Sequence, residues 1–173
     1  MSKIVTGRDA AVEEFEGYRT LLFAIAYRMT GSANEADDIV QEAYLRYSAA
    51  PAGEIRSLKT YLSTIVTRLC LDYLKSARVQ REKYIGPWLP EPVLTGGSAL
   101  LPGESAEQDE SISLAFLVLL ESLTPAERAV FLLHEVFDYE SSEIAEVIGK
   151  SPANCRQLLH RAKAYVSERR RRS

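Results

Sequence analysis

The stretch from Leu123 to Val166 constrains this chain more than any other, because it writes out two helix starts and a short turn. Thr124-Pro125-Ala126-Glu127 sets a capping hydroxyl ahead of a proline at the first helical position, with a glutamate three residues on to close a capping box. Val130, Leu133 and Phe137 recur behind it at helical spacing. A short helix following Ser142 puts Ile144, Ala145 and Ile148 on one face before Gly149 ends it. Only Gly149-Lys150-Ser151 separates that helix from the next, which Ser151 caps and Pro152 opens. The apolar stripe of this last helix is Cys155, Leu158, Leu159, Ala162 and Val166. Two helices joined by a three-residue, glycine-containing turn form a helix-turn-helix, whose second helix enters the major groove of DNA.

Outward from that stripe, beyond Ser151, lie Asn154, Arg156, Gln157, His160, Arg161 and Lys163. Asn and Gln can form two bonds to adenine and Arg two to guanine, while Lys reaches phosphate. The bland alternative is a solvated basic face. The formal net charge of −3 looks wrong for a nucleic-acid binder until the charges are placed along the chain. No Lys or Arg occurs between Lys83 and Arg128, whereas the chain from Lys150 onward is strongly basic and runs through Arg169-Arg170-Arg171-Arg172. Local sign, not the sum, sets attraction to phosphate. The arginine run reads equally well as a solvated tail.

Upstream, the apolar positions Val12, Phe15, Leu22, Ala26 and Met29 mark one face of a helix over 9–29, broken by Gly31. Ser32-Ala33-Asn34-Glu35 is a second capping box. The helix it opens turns Ala36, Ile39, Val40, Ala43 and Tyr47 inward and leaves Asp37, Asp38, Gln41, Glu42 and Arg46 outside, with Leu45 apolar among them. An acidic face usually serves solubility, but an apolar residue amid charges is what a protein-docking surface contains. Residues 48–56 are rich in Ala, Pro and Gly and read as a loop. Ser57 then caps a long helix with Leu58, Tyr61, Leu62, Ile65, Val66, Leu69 and Tyr73 inward and with Arg68, Lys75, Arg78, Arg81 and Lys83 along its later turns. Such a ridge can hold a nucleic-acid backbone, although basic residues in last turns also simply favour the helix dipole.

Residues 86–110 hold Pro87, Pro90, Pro92 and Pro102, the pair Gly96-Gly97 and only acidic charges, so they read as a linker. Trp88-Leu89-Pro90-Glu91-Pro92 is too apolar for an idle spacer, and docking of this segment is expected. A helix resumes over 111–120. The expected fold is all-α: a helical domain over 1–85, an acidic proline-rich linker over 86–110 and a helix-turn-helix domain over 111–173. Cys70 and Cys155 lie on or beside apolar stripes and read as small buried hydrophobes, not as a disulfide or metal site. No cofactor is expected. No apolar run reaches bilayer-spanning length and Met1 to Asp9 lack the apolar core of a signal peptide, so a cytosolic protein with no membrane partner is expected. His134 and His160 are the only histidines, and no nucleophile-base pattern, phosphate loop or metal spacing supports an enzyme.

Taken together, these segments resemble the bacterial extracytoplasmic-function (group 4) sigma factors. Asp37-Asp38-Ile39-Val40-Gln41-Glu42-Ala43-Tyr44-Leu45-Arg46 is similar to the family's polymerase-docking helix, Leu58 to Asp72 to its promoter-melting helix, and Leu123 to Val166 to the region that reads the −35 element. The linker and the segment Ser151 to Leu158 resemble a subgroup carrying a C-terminal nuclear-transport-factor-like domain, which this sequence does not contain. The resemblance implies a protein without covalent chemistry. Asp37, Asp38, Gln41, Glu42 and Leu45 would dock on core RNA polymerase. Arg56, Tyr61, Arg68, Lys75 and Arg78 would meet the −10 element. Ser151, Asn154, Arg156, Gln157, His160, Arg161 and Lys163 would read the −35 duplex. The acidic linker would imitate nucleic acid in the polymerase's RNA path, and an anti-sigma protein is a further implied partner. Two departures bear on −10 sequence choice: Tyr61 stands where the family commonly has Trp, and Thr67-Arg68 where it has Arg-Asn. The competing reading is a stand-alone helix-turn-helix regulator on duplex operator DNA.

Overall fold

The computed structural model describes residues 7–50, 53, 55–83 and 115–172; the linker, Trp88 within it, and the side chains of Arg78, Arg81 and Lys83 lie outside the described residues. Among the described residues all regular structure is helical. Helix α1 (Gly7–Thr30) stops where Gly31 takes the left-handed backbone at φ 71°, its N–H returning to the Tyr27 carbonyl at 2.8 Å. Helix α2 (Ala33–Ala49) starts on Ser32, whose hydroxyl accepts the Glu35 N–H at 3.2 Å. Helix α3 (Leu58–Lys83) starts on Ser57, whose hydroxyl accepts the Thr60 N–H at 3.3 Å. These three helices enclose Phe15, Leu22, Ile25, Ala26, Met29, Ala36, Ile39, Val40, Ala43, Leu62 and Val66.

The second group opens with a short helix over 115–121, labelled α4. Helix α5 (Pro125–Phe131) comes next, with the Thr124 hydroxyl accepting the Glu127 N–H at 3.3 Å. Regular α geometry then gives way to a wider π turn over Leu132–Val136, a change that apolar spacing alone does not announce. The Phe137 N–H bonds the Leu132 carbonyl at 3.0 Å, five residues back, and Asp138 lies just beyond with φ 58°. Helix α6 (Ser141–Ile148) begins two residues earlier than a helix following Ser142 would. Glu143 provides the cap there, its carboxylate accepting the Glu140 N–H at 3.4 Å. Gly149 ends α6 at φ 67°, and α7 (Pro152–Arg172) begins after it, with the Ser151 hydroxyl accepting the Asn154 N–H at 3.1 Å. Of the expected α7 stripe, Cys155 and Ala162 are fully buried, while Leu158, Leu159 and Val166 are half-buried.

The two groups share one continuous core, because α3 packs on α6 and α5, and α1 on the π turn and α5. Arg128 of α5 is central to the junction. Buried at 6% exposure, it donates from Nε to the Leu120 carbonyl at 2.9 Å and from Nη1 to the Met29 carbonyl. Both acceptors sit at the C-terminal ends of helices, α4 and α1, where unsatisfied carbonyls concentrate negative potential. One guanidinium therefore caps two helices from different groups. Arg28 adds a cation over the Phe116 ring at 5.7 Å.

Candidate nucleic-acid and protein interfaces

Three faces carry the candidate residues. On α2, Asp37, Asp38, Gln41, Glu42 and Leu45 are all exposed on the side opposite Ala36, Ile39, Val40 and Ala43. Helical periodicity dictates this, because the buried set recurs every three or four residues. Leu45 keeps 53% of its surface in solvent, and Glu42 pairs with Arg46 at 3.2 Å. The face is thus an acidic row with one large apolar side chain and one internal ion pair.

Seven-residue spacing aligns Tyr61, Arg68 and Lys75 along α3. Arg68 and Lys75 are exposed, as is Arg56 in the preceding loop. Tyr61 is half-buried with its ring edge toward Tyr47, centroids 6.4 Å apart. Arg68 is drawn toward the second group: its Nε donates to the Val147 carbonyl near the end of α6 at 3.4 Å. A side-chain carbon on Gly149 would lie 3.6 Å from its Nη2.

Beside this row, α3 turns Thr60, Ser63 and Thr67 under the second group, all three buried. Thr60 donates to the Glu143 carboxylate at 3.3 Å, and Ser63 shares a short hydrogen bond with the Tyr139 hydroxyl. The Lys59 ammonium sits 4.3 Å from the Tyr139 ring centroid. Burial pushes the Tyr139 hydroxyl pKa upward, keeping it a neutral partner for Ser63. Thr67 Oγ1 is buried with no hydrogen-bond partner. Motifs in the sequence do not reveal this contact, because hydroxyl residues on a helix form no apolar stripe. Their spacing, 60, 63 and 67, was the available signal.

On α7, Ser151, Asn154, Arg156, Gln157, His160, Arg161 and Lys163 are all exposed, with the first turn of the helix open to solvent. Lys163 is not idle: its Nζ pairs with Glu135 at 2.8 Å, and His134 Nδ1 lies 3.0 Å from the same oxygen. The hydrogen bond from Lys163, reinforced by His134, holds the Glu135 carboxyl below its ordinary range.

Against known families, residues 15–79 match the sigma-70 region 2 model and residues 113–166 the sigma-70 region 4 model. The chain is 46% identical over 156 residues to the ECF RNA polymerase sigma factor SigJ of Mycobacterium tuberculosis, covering 90% of this chain and 50% of that protein. It is 38% identical to the probable ECF RNA polymerase sigma factor SigI of the same organism, covering 94% of this chain and 56% of SigI. The crystal structure of Mycobacterium tuberculosis SigJ superposes with a TM-score of 0.66 at 40% identity, over 90% of this chain and 53% of that one. The sigma factor RpoE of Bartonella quintana, crystallised with the anti-sigma factor NepR, shares the fold at a TM-score of 0.67 and 17% identity, over 91% of this chain and 94% of that one. Two helical groups, the region 2 and region 4 matches in order and the identity to SigJ define one class: the chain belongs to the extracytoplasmic-function sigma factor family. It spans about half the length of the curated relatives SigJ and SigI.

Proposed function

We propose that this chain binds core RNA polymerase in the cytoplasm and directs it to promoters, holding −35 duplex through α7 and engaging the −10 strand through α3. The observation that carries the reading is the α2 face. Five residues, Asp37, Asp38, Gln41, Glu42 and Leu45, stand exposed together there, opposite the buried Ala36, Ile39, Val40 and Ala43. An acidic row with one large apolar side chain among the charges suits a sigma factor, which must steer and orient its docking on a basic partner. Arg56, Tyr61, Arg68, Lys75 and Arg78 are assigned to −10 DNA, and Ser151, Asn154, Arg156, Gln157, His160, Arg161 and Lys163 to −35 DNA. The functional units are 1–85 and 111–173, tethered by 86–110. The Trp88 to Pro92 and Ser151 to Leu158 segments support the finer assignment to the subgroup with a nuclear-transport-factor-like domain.

A titration against purified bacterial core RNA polymerase, beside a variant carrying Asp37→Lys and Asp38→Lys, tests this directly. Tight binding that the reversal weakens at least tenfold is expected. Failure of core polymerase to bind, together with tight and specific operator binding by the protein alone, would establish the stand-alone regulator instead.

A further inference from the structure

The last stretch of α7 stands outside the packing that holds the rest of the helix. Tyr165 and Val166 are its last half-buried residues, and every residue over 167–172 is exposed. This stretch carries Arg169, Arg170, Arg171 and Arg172, and helical phase divides them into two pairs. Seven residues are nearly two full turns. Counting by seven, Arg169 continues the buried line of Cys155 and Ala162, and Arg172 that of the half-buried Leu158 and Tyr165. Both are engaged on the helix itself. Arg169 donates from Nε to the Tyr165 hydroxyl at 3.2 Å and sets its guanidinium 5.8 Å from that ring's centroid, while Arg172 pairs with Glu168 at 2.8 Å. By the same count, Arg170 continues the exposed line of Arg156 and Lys163, and Arg171 that of Gln157 and Ala164. Neither makes a hydrogen bond or ion pair among the described residues. Lys163, the nearest cation on that line, is already paired with Glu135.

A helix of 21 residues is about 31 Å long, against a major groove about 12 Å wide. A helix that enters the groove by its first turns therefore carries its far end out past the phosphates at the edge, and the C-terminal end of a reading helix is one of the places where such folds touch the backbone. Arginine suits phosphate because its planar fork presents parallel N–H groups to two oxygens. We propose that Arg170 and Arg171 grip the backbone of duplex DNA flanking the −35 element, adding two phosphate contacts that carry no sequence information. Arg169 and Arg172 stay outside that grip: one steadies the helical extension on Tyr165, and the other cancels the charge of Glu168. Nucleic acid is the occupant, and not an acidic protein face, because both gripping arginines continue the register of the reading row. The inference rests on the −35 reading by α7 and deepens it.

Two double variants that remove the same formal charge test the phase. The wild-type chain, Arg170→Gln/Arg171→Gln and Arg169→Gln/Arg172→Gln are titrated over a salt series, with and without core polymerase, against a duplex that the wild type selects from a randomised pool and against scrambled versions of it. Arg170→Gln/Arg171→Gln should weaken binding about equally on every sequence and reduce the log–log salt slope by about 1.8, roughly 0.9 for each phosphate lost. Arg169→Gln/Arg172→Gln should reduce the slope by less than half that amount, with circular dichroism confirming that both variants stay helical. Neutral methylphosphonates placed one at a time in the flanks read the grip directly. Wild-type affinity should fall at one or two positions to which Arg170→Gln/Arg171→Gln is indifferent. Equal slopes in the two variants would reduce the run to a diffuse counter-charge and overturn the grip. So would a loss seen only when core polymerase is present, which would assign the arginines to an acidic protein face. If the wild type selects no duplex under either condition, the −35 reading itself fails and the grip falls with it.

Discussion

Arg128 shows how much a single side chain can owe to distant backbone. In sequence it is a charge set within the apolar run of α5, yet it is buried between the carbonyl ends of α1 and α4. Nothing local could have announced this, because one acceptor, Met29, lies 99 residues away in the chain. Arg128→Met should lower stability by about 2 kcal/mol or more, since two buried carbonyls lose a charged donor. Urea unfolding measures this directly. Arg128→Lys should recover only part of the loss, because one ammonium cannot present the guanidinium's fork to two acceptors. Cys70 makes the opposite case, since its place beside an apolar stripe already implied burial. Burial pushes its thiol far above the ordinary range despite the nearby Arg128. The thiolate is the reactive form. Cys70 should therefore resist a thiol reagent at neutral pH in the folded chain and react promptly in urea.

At the scale of the element, the helix starts were legible wherever a cap is written locally. Ser32, Ser57, Thr124 and Ser151 each accept the N–H that their spacing promised. The outward sets of α2 and α7 were legible for a related reason: once the buried positions are fixed, 100° per residue fixes the rest. The pairing of Lys163 with Glu135 was not, because it joins α7 to the π turn across the fold. Arg156→Ala should relax sequence choice at one promoter position, costing about 1 to 3 kcal/mol if its contact is bidentate to guanine. A base-substitution series on a −35 duplex reads this out. Glu135→Gln should release Lys163 for phosphate and steepen the salt dependence of duplex binding by up to about 0.9 in the log–log slope. Acidification acts in the same direction. The Glu135 carboxyl is held below its ordinary range, so the ion pair is present at neutral pH and disappears only as pH falls through that lowered value.

For the whole molecule, the continuous core means that the two groups should unfold as one. Residues of α1, α2 and α3 and of α4 through α7 belong to a single buried cluster, with Arg128 and Tyr139 at its joint. Calorimetry should give one transition with matching calorimetric and van't Hoff enthalpies. Two resolved transitions would show that the groups fold independently. The two helical groups were legible in the sequence but their contact was not, because Thr60, Ser63 and Thr67 belong to neither an apolar stripe nor a motif. The π turn over Leu132–Val136 gives that contact an unusual evolutionary lever. It holds one more residue than an α turn would, and just beyond it the Tyr139 N–H is tied back to the Leu133 carbonyl at 2.8 Å, delivering the ring to α3. Loss of one codon within the turn would restore α geometry and swing Tyr139 and α6 by about 100°. An in-frame deletion of one codon could thus break the contact with α3 in a lineage while leaving every residue of the α2 and α7 candidate faces unchanged in sequence.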